Sequence, residues 1–362
     1  MPGIYISWPF CAQKCTYCNF ASGVQPKDLE LRYRDALQAE FAAHAWQWIP
    51  ETLYIGGGTP SAIEAAEFEA IIRDLPGRPW REATIEAAPG SLTREKIESW
   101  RRAGMNRVSL GVQSFVRHEL ARTGRRHDAE TVEHDVHLLR DCGIDNINLD
   151  LIAGLPAQTT ATWQESLDRL IALDVPHVSV YMLEVDDDSR LGAEILLGGK
   201  RYGASDVPAD DAIATFYETA VDQLAHHGIH RYEISNFAKP GAESVHNLKY
   251  WRREPYVGFG ADAHSFDGAT RWQNVETARE YADISPRVRA EQTTPDPVEE
   301  KFFVGLRLTE GVEPNAAEWR RFGSAFERFV SAGIMENHAG RLRLTPRGIM
   351  VSNEVFQEFL IA

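Results

Sequence analysis

The chain has 362 residues, a net charge of −15, 43% hydrophobic residues and only four cysteines. This length suits one large domain with a smaller one, and the negative charge disfavours a general attraction to nucleic acid or anionic lipid. No apolar stretch approaches the length of a membrane span, and four cysteines do not make a disulfide scaffold. We therefore expect a cytoplasmic protein without a transmembrane segment or signal peptide.

Three cysteines follow the first apolar run of the chain. Cys11, Cys15 and Cys18 stand in the sequence CAQKCTYC. Iron–sulfur clusters are usually held by four cysteine thiolates, so this spacing indicates a 4Fe–4S cluster with one iron left open for a small molecule. A structural zinc site would need a fourth ligand, and the nearest histidine is His44. A disulfide would leave one thiol over and suits a secreted protein. Cys142 is predicted to be a small buried residue outside the cluster.

Apolar runs alternate with amphipathic segments over the first two-thirds of the chain. The segments between the runs carry helix signals, such as the cap pair Thr93 and Gly104. The predicted strands are Ile4–Trp8, Leu53–Ile55, Ala83–Ala87, Arg107–Val112, Asn146–Ile152 and Val178–Leu183. Repeated strand–helix units predict an α/β fold with a parallel sheet, here a partial (β/α)6 TIM-like barrel two units short of closure.

Glycine turns and polar side chains stand where these predicted strands end. The run GGGTPS, from Gly56 to Ser61, follows the second strand, and Glu86, Gln113, Asp150 and Glu184 end or follow the next four. Active sites of parallel barrels lie at the carboxyl ends of the strands. We expect a site at this edge, although each feature alone is compatible with a tight turn or a solvated side chain.

The end of the chain predicts a separate, mostly helical module. Helices are predicted over Val298–Arg307, Ala316–Phe322 and Ala325–Ala332, and LRLTPRG predicts a strand and turn before a last helix that ends near Leu360. This order is typical of a winged-helix-like module. From Glu291 onward there are 8 basic and 11 acidic residues, so binding to nucleic acid is not expected. A cover over the open side of the barrel, or a docking surface for a partner, is favoured.

Several stretches together resemble the oxygen-independent coproporphyrinogen III oxidase family of the radical-SAM superfamily. They are YISWPFCAQKCTYCNF, LYIGGGTPS, IEAAPGSLT, RVSLGVQSF, INLDLIAGLP and EISNFAKPG. The resemblance implies a radical-SAM barrel over residues 1–235, a connecting region over 236–290 and a C-terminal domain over 291–362. It also implies that S-adenosylmethionine completes the cluster.

The resemblance assigns nine residues to the S-adenosylmethionine site. They are Tyr5, Tyr17, Gly57, Gly58, Thr59, Glu86, Gln113, Arg125 and Asp150. Glu86 could accept hydrogen bonds from a ribose, and Arg125 could pair with a carboxylate. Core packing stays an alternative for Tyr5, and a solvated loop stays one for Arg125.

This family has a branch of oxidases, which decarboxylate propionates of a porphyrinogen, and a branch of haem chaperones. Three features resemble the chaperones. Phe20 stands where the oxidases have a further cysteine, only ten residues precede Cys11, and HNLKYW matches the HNxxYW motif of the haem-binding branch. One departure is Ser7–Trp8, which replaces the more usual His–Ile before Pro9.

The resemblance implies haem binding through His246, with Tyr250 and Trp251 offering flat apolar surface to the porphyrin. The alternative for His246 is a satisfied core histidine, and His264 in GADAHSF is a second candidate contact. The implied function is a haem chaperone that delivers haem to acceptor proteins, with membrane cytochromes among the candidates. A radical-SAM enzyme such as the oxidase is the alternative, and no catalytic residue is assigned. The oligomeric state stays open, a homodimer among the alternatives.

Overall fold

The structure, a computed structural model, describes residues 1–284 and 289–360. Its strands are β1 (Gly3–Trp8), β2 (Thr52–Gly57), β3 (Glu82–Ala87), β4 (Arg107–Gln113), β5 (Asn146–Ala153), β6 (His177–Met182), β7 (His230–Arg231), β8 (Asn236–Ala238), β9 (Tyr256–Phe259), β10 (His264–Phe266), β11 (Arg271–Asn274), β12 (Arg289–Thr293), β13 (Met335–His338) and β14 (Arg341–Leu344).

The α-helices in the same ranges are α1 (Lys27–Ala43), α2 (Ala65–Ile72), α3 (Arg94–Ala103), α4 (Arg117–Arg122), α5 (Ala129–Asp141), α6 (Thr160–Ala172), α7 (Arg190–Leu196), α8 (Asp210–His226), α9 (Val245–Trp251), α10 (Ala278–Ile284), α11 (Pro297–Gly305), α12 (Ala316–Ser331), α13 (Pro346–Met350) and α14 (Ser352–Gln357). Short 3-10 helices cover Pro60–Ala62 and Arg201–Asp206. None of these helices is long and apolar enough to cross a bilayer.

Strands β1 to β6 lie side by side in sequence order, and all five pairs are parallel. Each strand is followed by at least one helix, as right-handed β/α units require. The six apolar runs are therefore confirmed as strands, and the partial (β/α)6 barrel is confirmed with them. The carboxyl ends of these strands meet at one edge, which brings the predicted site residues to the same end of the barrel.

The barrel strands place apolar and polar side chains on opposite faces, since neighbouring residues of a strand alternate. The apolar set faces the helices and is at most 2% exposed: Ile4, Ile6, Leu53, Ile55, Ala83, Ile85, Val108, Leu110, Ile147, Leu149, Val178 and Val180. Each such large aliphatic side chain contributes roughly 1.5–3 kcal/mol through burial. The interior face instead carries polar groups, among them Glu86, Ser109 and Asp150. The interior of this barrel therefore differs from the aliphatic interior of closed barrels.

The sheet continues beyond the six barrel strands on both sides. Strand β9 pairs in parallel with β1, and β10, β11 and β12 follow it in antiparallel order. On the other side, β8 pairs with β6 and β7 pairs with β8. Strands of the predicted connecting region, 236–290, thus belong to the same sheet as the barrel. The boundaries of the three-part division stay a prediction.

The C-terminal module contains α11, α12, the β13–β14 hairpin, α13 and α14. The strand predicted in LRLTPRG is confirmed as β14, which forms a hairpin with β13, but the prediction of two helices over 316–332 is wrong, because α12 is continuous. Asn315 and Glu318 form a capping box at its start, and Phe322, Phe326 and Phe329 form one buried stripe. Gly323 is tolerated inside the helix because this stripe packs on both sides of it.

Two side chains of α1 connect the barrel to the strands beyond it. The Tyr33 hydroxyl donates to the Ser7 carbonyl oxygen over 2.8 Å and accepts from the Ala261 N–H over 2.8 Å. Glu40 accepts from the Gly260 N–H at 3.1 Å and from Asn274 at 3.0 Å. These bonds satisfy backbone groups near the carboxyl ends of β1 and β9, where the pairing between the two strands stops.

We expect Tyr33→Phe to lower the free energy of unfolding by about 1–3 kcal/mol, because it leaves a buried carbonyl and a buried N–H without partners. Urea denaturation of the anaerobically purified protein measures this change. Tyr202→Phe is the matched control, since within the described ranges the Tyr202 hydroxyl makes no hydrogen bond; it should stay within about 0.5 kcal/mol of wild type. Equal midpoints for the two variants would contradict the role of Tyr33.

Candidate functional site

The loop after β1 brings three thiols to the carboxyl edge of the barrel. The Cys11 N–H donates to the Gly23 carbonyl oxygen over 2.9 Å, which closes the loop, and all three thiol side chains are half-buried. Burial raises the pKa of the Cys11 thiol, hydrogen bonds with Thr59 and Ser22 oppose this, and the nearby Cys18 and Cys15 sulfurs raise the pKa further. The three thiols therefore lie close enough to act on one another.

The donor set fits an iron–sulfur cluster better than a single metal ion. Within residues 1–284 and 289–360, no group of three or more His, Cys, Asp or Glu side chains is arranged to hold one ion. A 4Fe–4S cluster makes a different demand, because each cysteine binds a separate iron. Cys142 is 4% exposed at the end of α5, which confirms it as a buried small residue. The cluster loop thus offers three thiolates and no fourth.

The glycine run at the end of β2 packs directly against the cluster loop. A Cβ on Gly58 would lie 2.7 Å from the Phe10 carbonyl oxygen, and Gly57 has φ 106°. The N–H groups of Gly58 and Thr59 donate to the carbonyls of Trp8 and Phe10 over 2.8 and 2.9 Å. Close backbone approach therefore requires these glycines even before a ligand binds.

Glu86 and Asp150 lie inside the barrel near this edge. Glu86 accepts hydrogen bonds from the Tyr54 hydroxyl at 2.9 Å and from the Gly57 N–H at 3.2 Å. Burial and the neighbouring Asp150 raise the pKa of Glu86 to about 7. Burial also raises the pKa of Asp150, although Ser179, Asn148 and Ser109 hydrogen bonds oppose it. The two carboxylates are acceptors held in a poorly solvated site.

Gln113, Arg125 and Tyr17 meet beside the cluster loop. Gln113 is buried at the bulged end of β4 with φ 69°, a strained backbone conformation of the kind that clusters at functional sites. Arg125 donates from Nε and Nη2 to the Tyr17 hydroxyl at 3.3 and 3.2 Å. Burial raises the pKa of Tyr17, and Arg125 counteracts that shift. The structure thus places Arg125 next to the thiols and not in a solvated loop.

Tyr5 lies away from this group. Its ring stacks on Tyr54 with centroids 6.1 Å apart and an angle of 28°. The Tyr5 side chain also lines a large cavity. Tyr5 therefore separates the barrel interior from that cavity.

Helix α9, which carries the HNxxYW motif, is held at its start by a buried carboxylate. Glu82 accepts from the Ser244 hydroxyl at 3.1 Å and from the N–H groups of Val245 and His246, both at 2.9 Å. The Lys249 ammonium lies 3.0 Å from a Glu51 carboxylate oxygen, and the Lys249 side chain is only 2% exposed. Glu82 is not among the residues predicted from the sequence, although the alternation of polar and apolar residues in EATIEA could have indicated that its side chain faces the barrel interior.

His246 lies at the amino end of the barrel strands and is 1% exposed. Its Nδ1 is 2.8 Å from the Thr52 hydroxyl, and its Nε2 is 2.8 Å from the Tyr250 hydroxyl. Burial, with Lys249 and Arg107 nearby, lowers the pKa of His246 to about 3, so the ring is neutral. Both ring nitrogens are engaged in this arrangement. His246 as haem ligand stays a prediction, and it requires one ring nitrogen to leave its partner.

A cavity of about 760 Å³ lies between the barrel, α9 and the C-terminal module. Its wall includes Tyr5, Phe20, Tyr250, Trp251, His264 and Arg271, together with residues of α11. Two residues of the HNxxYW motif therefore face the same space as Phe20 of the cluster loop. His246 is not part of the wall.

Glu86 predicts a pH dependence of stability. Its pKa of about 7 in the folded protein lies above the ordinary glutamate value of 4.5, so the contribution of Glu86 to stability is fully present below pH 4.5 and is lost as the pH rises through 7. We expect Glu86→Gln to remove this fall, on the order of 1 kcal/mol per unit of pKa difference, in urea denaturation of the cluster-free protein. The exposed Glu184→Gln is the control. Identical pH profiles for Glu86→Gln and wild type would contradict the assignment.

Comparison with known proteins agrees with this arrangement. The model of the radical SAM superfamily matches residues 5–170, and the model of the HemN C-terminal domain matches residues 292–351. A Bacillus subtilis protein described as heme chaperone HemW is 36% identical over 99% of this chain and 99% of its own length. A Lactococcus lactis protein with the same description is 35% identical over 99% and 97%.

The solved structure of coproporphyrinogen III oxidase (HemN) from Escherichia coli has the same fold. It aligns with a TM-score of 0.84 over 99% of this chain and 90% of that chain, at 20% identity. The likeness to HemN shows the fold alone. The family assignment rests on the Bacillus subtilis and Lactococcus lactis relatives, which are more similar in sequence and aligned over nearly their whole length. The chain belongs to the HemW family of radical-SAM proteins.

Proposed function

We propose that this protein is a haem chaperone, which binds haem beside its HNxxYW motif and passes it to acceptor proteins. The observation that carries the proposal is the shared cavity, whose wall combines Tyr250 and Trp251 with Phe20 of the cluster loop. The curated relatives are described as haem chaperones, which supports the same reading. The proposed location is the cytoplasm, and membrane cytochromes are among the proposed acceptors. For the oligomeric state, a homodimer is an alternative to a monomer.

Cys11, Cys15 and Cys18 would hold a 4Fe–4S cluster, with S-adenosylmethionine on the open iron. When bound, this pair can supply an electron and a source of an organic radical. The carbonyl oxygens of Gly57 and Gly58 suit a ligand ammonium.

Residues around the open iron would orient the S-adenosylmethionine. Arg125, already close to Cys15, suits a carboxylate, and Glu86 suits the ribose hydroxyls. Tyr17, Thr59, Gln113 and Asp150 would line the same space. Tyr5 would border it from the side of the cavity.

The cavity has the chemical character that a porphyrin needs. Flat aromatic side chains form part of its wall, and aromatic rings provide large apolar contact with a polar edge for orientation. Its size falls within the range of cofactor sites, roughly 300–1,000 Å³. Phe20 occupies the position of the further cysteine in the oxidases, so the cluster loop contributes an apolar ring here and not a thiol.

Cluster binding is tested with Cys15→Ala. We expect this variant to lose the iron–sulfur absorbance and most bound iron and sulfide after anaerobic reconstitution, because two thiolates hold a cluster poorly. Cys142→Ala, which removes the buried thiol outside the loop, should reconstitute like wild type. Full iron and sulfide content in Cys15→Ala would overturn the assignment.

Haem binding is tested by anaerobic titration followed by absorbance and fluorescence. We expect saturable binding to wild type and an affinity about tenfold lower in Trp251→Ala, equivalent to about 1.4 kcal/mol, because a flat contact is lost. Trp48→Ala, outside the cavity wall, is the matched control. Absence of saturable binding to wild type, or robust decarboxylation of coproporphyrinogen, would overturn the chaperone proposal.

A further inference from the structure

We infer that His264 is the protein ligand to haem iron in this cavity, and that His246 positions Tyr250 and does not bind the iron. The inference rests on the proposed function and deepens it by naming the residue that binds the iron. His264 begins β10, in the sequence GADAHSF, and lines the cavity together with residues of α11.

His264 has the properties of an available ligand. Its side chain is exposed, it lines the cavity, and neither ring nitrogen has a hydrogen-bond partner in the part of the chain that the structure describes. Partial burial lowers its pKa, nearby Asp262 opposes that shift, and Arg271 adds to it. A ring nitrogen without a hydrogen-bond partner at a cavity wall can donate its lone pair to a metal.

His246 has the opposite properties. Its ring is buried, and its two nitrogens are bonded to Thr52 and Tyr250. Its backbone N–H is also held by Glu82, which fixes the position of the residue at the start of α9. Binding iron through Nε2 would leave the buried Tyr250 hydroxyl without its partner, which is unfavourable in a site that water does not reach.

His246 nevertheless shapes the cavity. Its Nε2 bond holds the Tyr250 hydroxyl, and the two rings meet edge to face with centroids 5.3 Å apart. Tyr250 in turn packs edge to face on Tyr256 at 4.6 Å. Removing the His246 ring would free Tyr250 to change rotamer. The motif histidine can thus affect haem affinity through the wall without touching the iron.

Exposed apolar side chains at the cavity indicate that its surface is unfilled. Phe20 is 66% exposed, Phe303 is 37% exposed and Leu360 is 48% exposed, and all three line the same space. They come from the cluster loop, α11 and the chain end. A flat apolar macrocycle seated against His264 would cover surface from all three, which is the gain expected from filling such a patch.

The charged groups of the wall are already paired with one another. Arg253 and Arg271 pair with Glu300, and Arg321 pairs with Asp296 and Glu299. Guanidinium groups are suited to planar recognition of carboxylates. A haem propionate near Arg271 would therefore bind in competition with Glu300.

The test compares ligand-deletion and ligand-exchange variants loaded with ferric haem in the full-length protein. We expect wild type and His246→Ala to share the imidazole-ligated signature in electron paramagnetic resonance and magnetic circular dichroism, with weaker binding in His246→Ala. His264→Ala should lose that signature and bind haem at least about tenfold more weakly. His264→Tyr should retain haem with a phenolate-type high-spin spectrum, a change that a structural role would not produce.

His338→Ala provides the matched histidine control, since His338 is exposed on the β13–β14 hairpin and is not in the cavity wall. Circular dichroism and iron–sulfur content verify that each variant folds. A wild-type spectrum in His264→Ala or His264→Tyr would overturn the inference, as would loss of the imidazole signature in His246→Ala. Failure of wild type to bind haem would instead overturn the proposed function.

Discussion

The carboxylate of Glu82 is the constraint on which the arrangement of the motif depends. It lies at the start of a barrel strand, 3% exposed, and takes three hydrogen bonds from the first turn of α9. A buried carboxylate is tolerated only with such compensation, and a helix start supplies it through free N–H groups. The bond fixes where α9 begins, and the positions of His246 and Tyr250 follow from it. The same helix then presents Trp251 to the cavity.

The cavity and the cluster loop share a physical boundary. Phe20 is two residues beyond Cys18 and projects into the cavity, while Tyr5 stacks on Tyr54, which donates to Glu86. A change in the cluster loop would therefore move part of the wall of the proposed haem cavity. Contiguous packing of this kind offers a physical route by which two sites can be coupled. This geometry gives a reason for a carrier to keep a metal centre beside its cargo.

The sequence predicted the local elements well because each barrel strand alternates apolar and polar residues. It did not predict that β9 pairs with β1, since Gly3 and Tyr256 are far apart in the chain and parallel pairing leaves no turn signal between partners. The glycine in α12 suggested a break that packing overrides. Cysteine spacing located the cluster loop, but no pattern could reveal that Thr52 and Tyr250 occupy both nitrogens of His246. Such contacts arise only once distant strands are assembled.

The separation of polar and apolar residues in the barrel has an evolutionary consequence. Cohesion of the domain comes from the aliphatic layer between sheet and helices, represented by Ile85, Leu110 and Leu149. The opposite face of the same strands carries Glu86 and Asp150, to which the proposed function assigns ligand contacts. Selection can therefore alter that face while the aliphatic layer stays unchanged. A lineage with such a scaffold can diversify its chemistry by substituting the interior-facing residues of the six barrel strands.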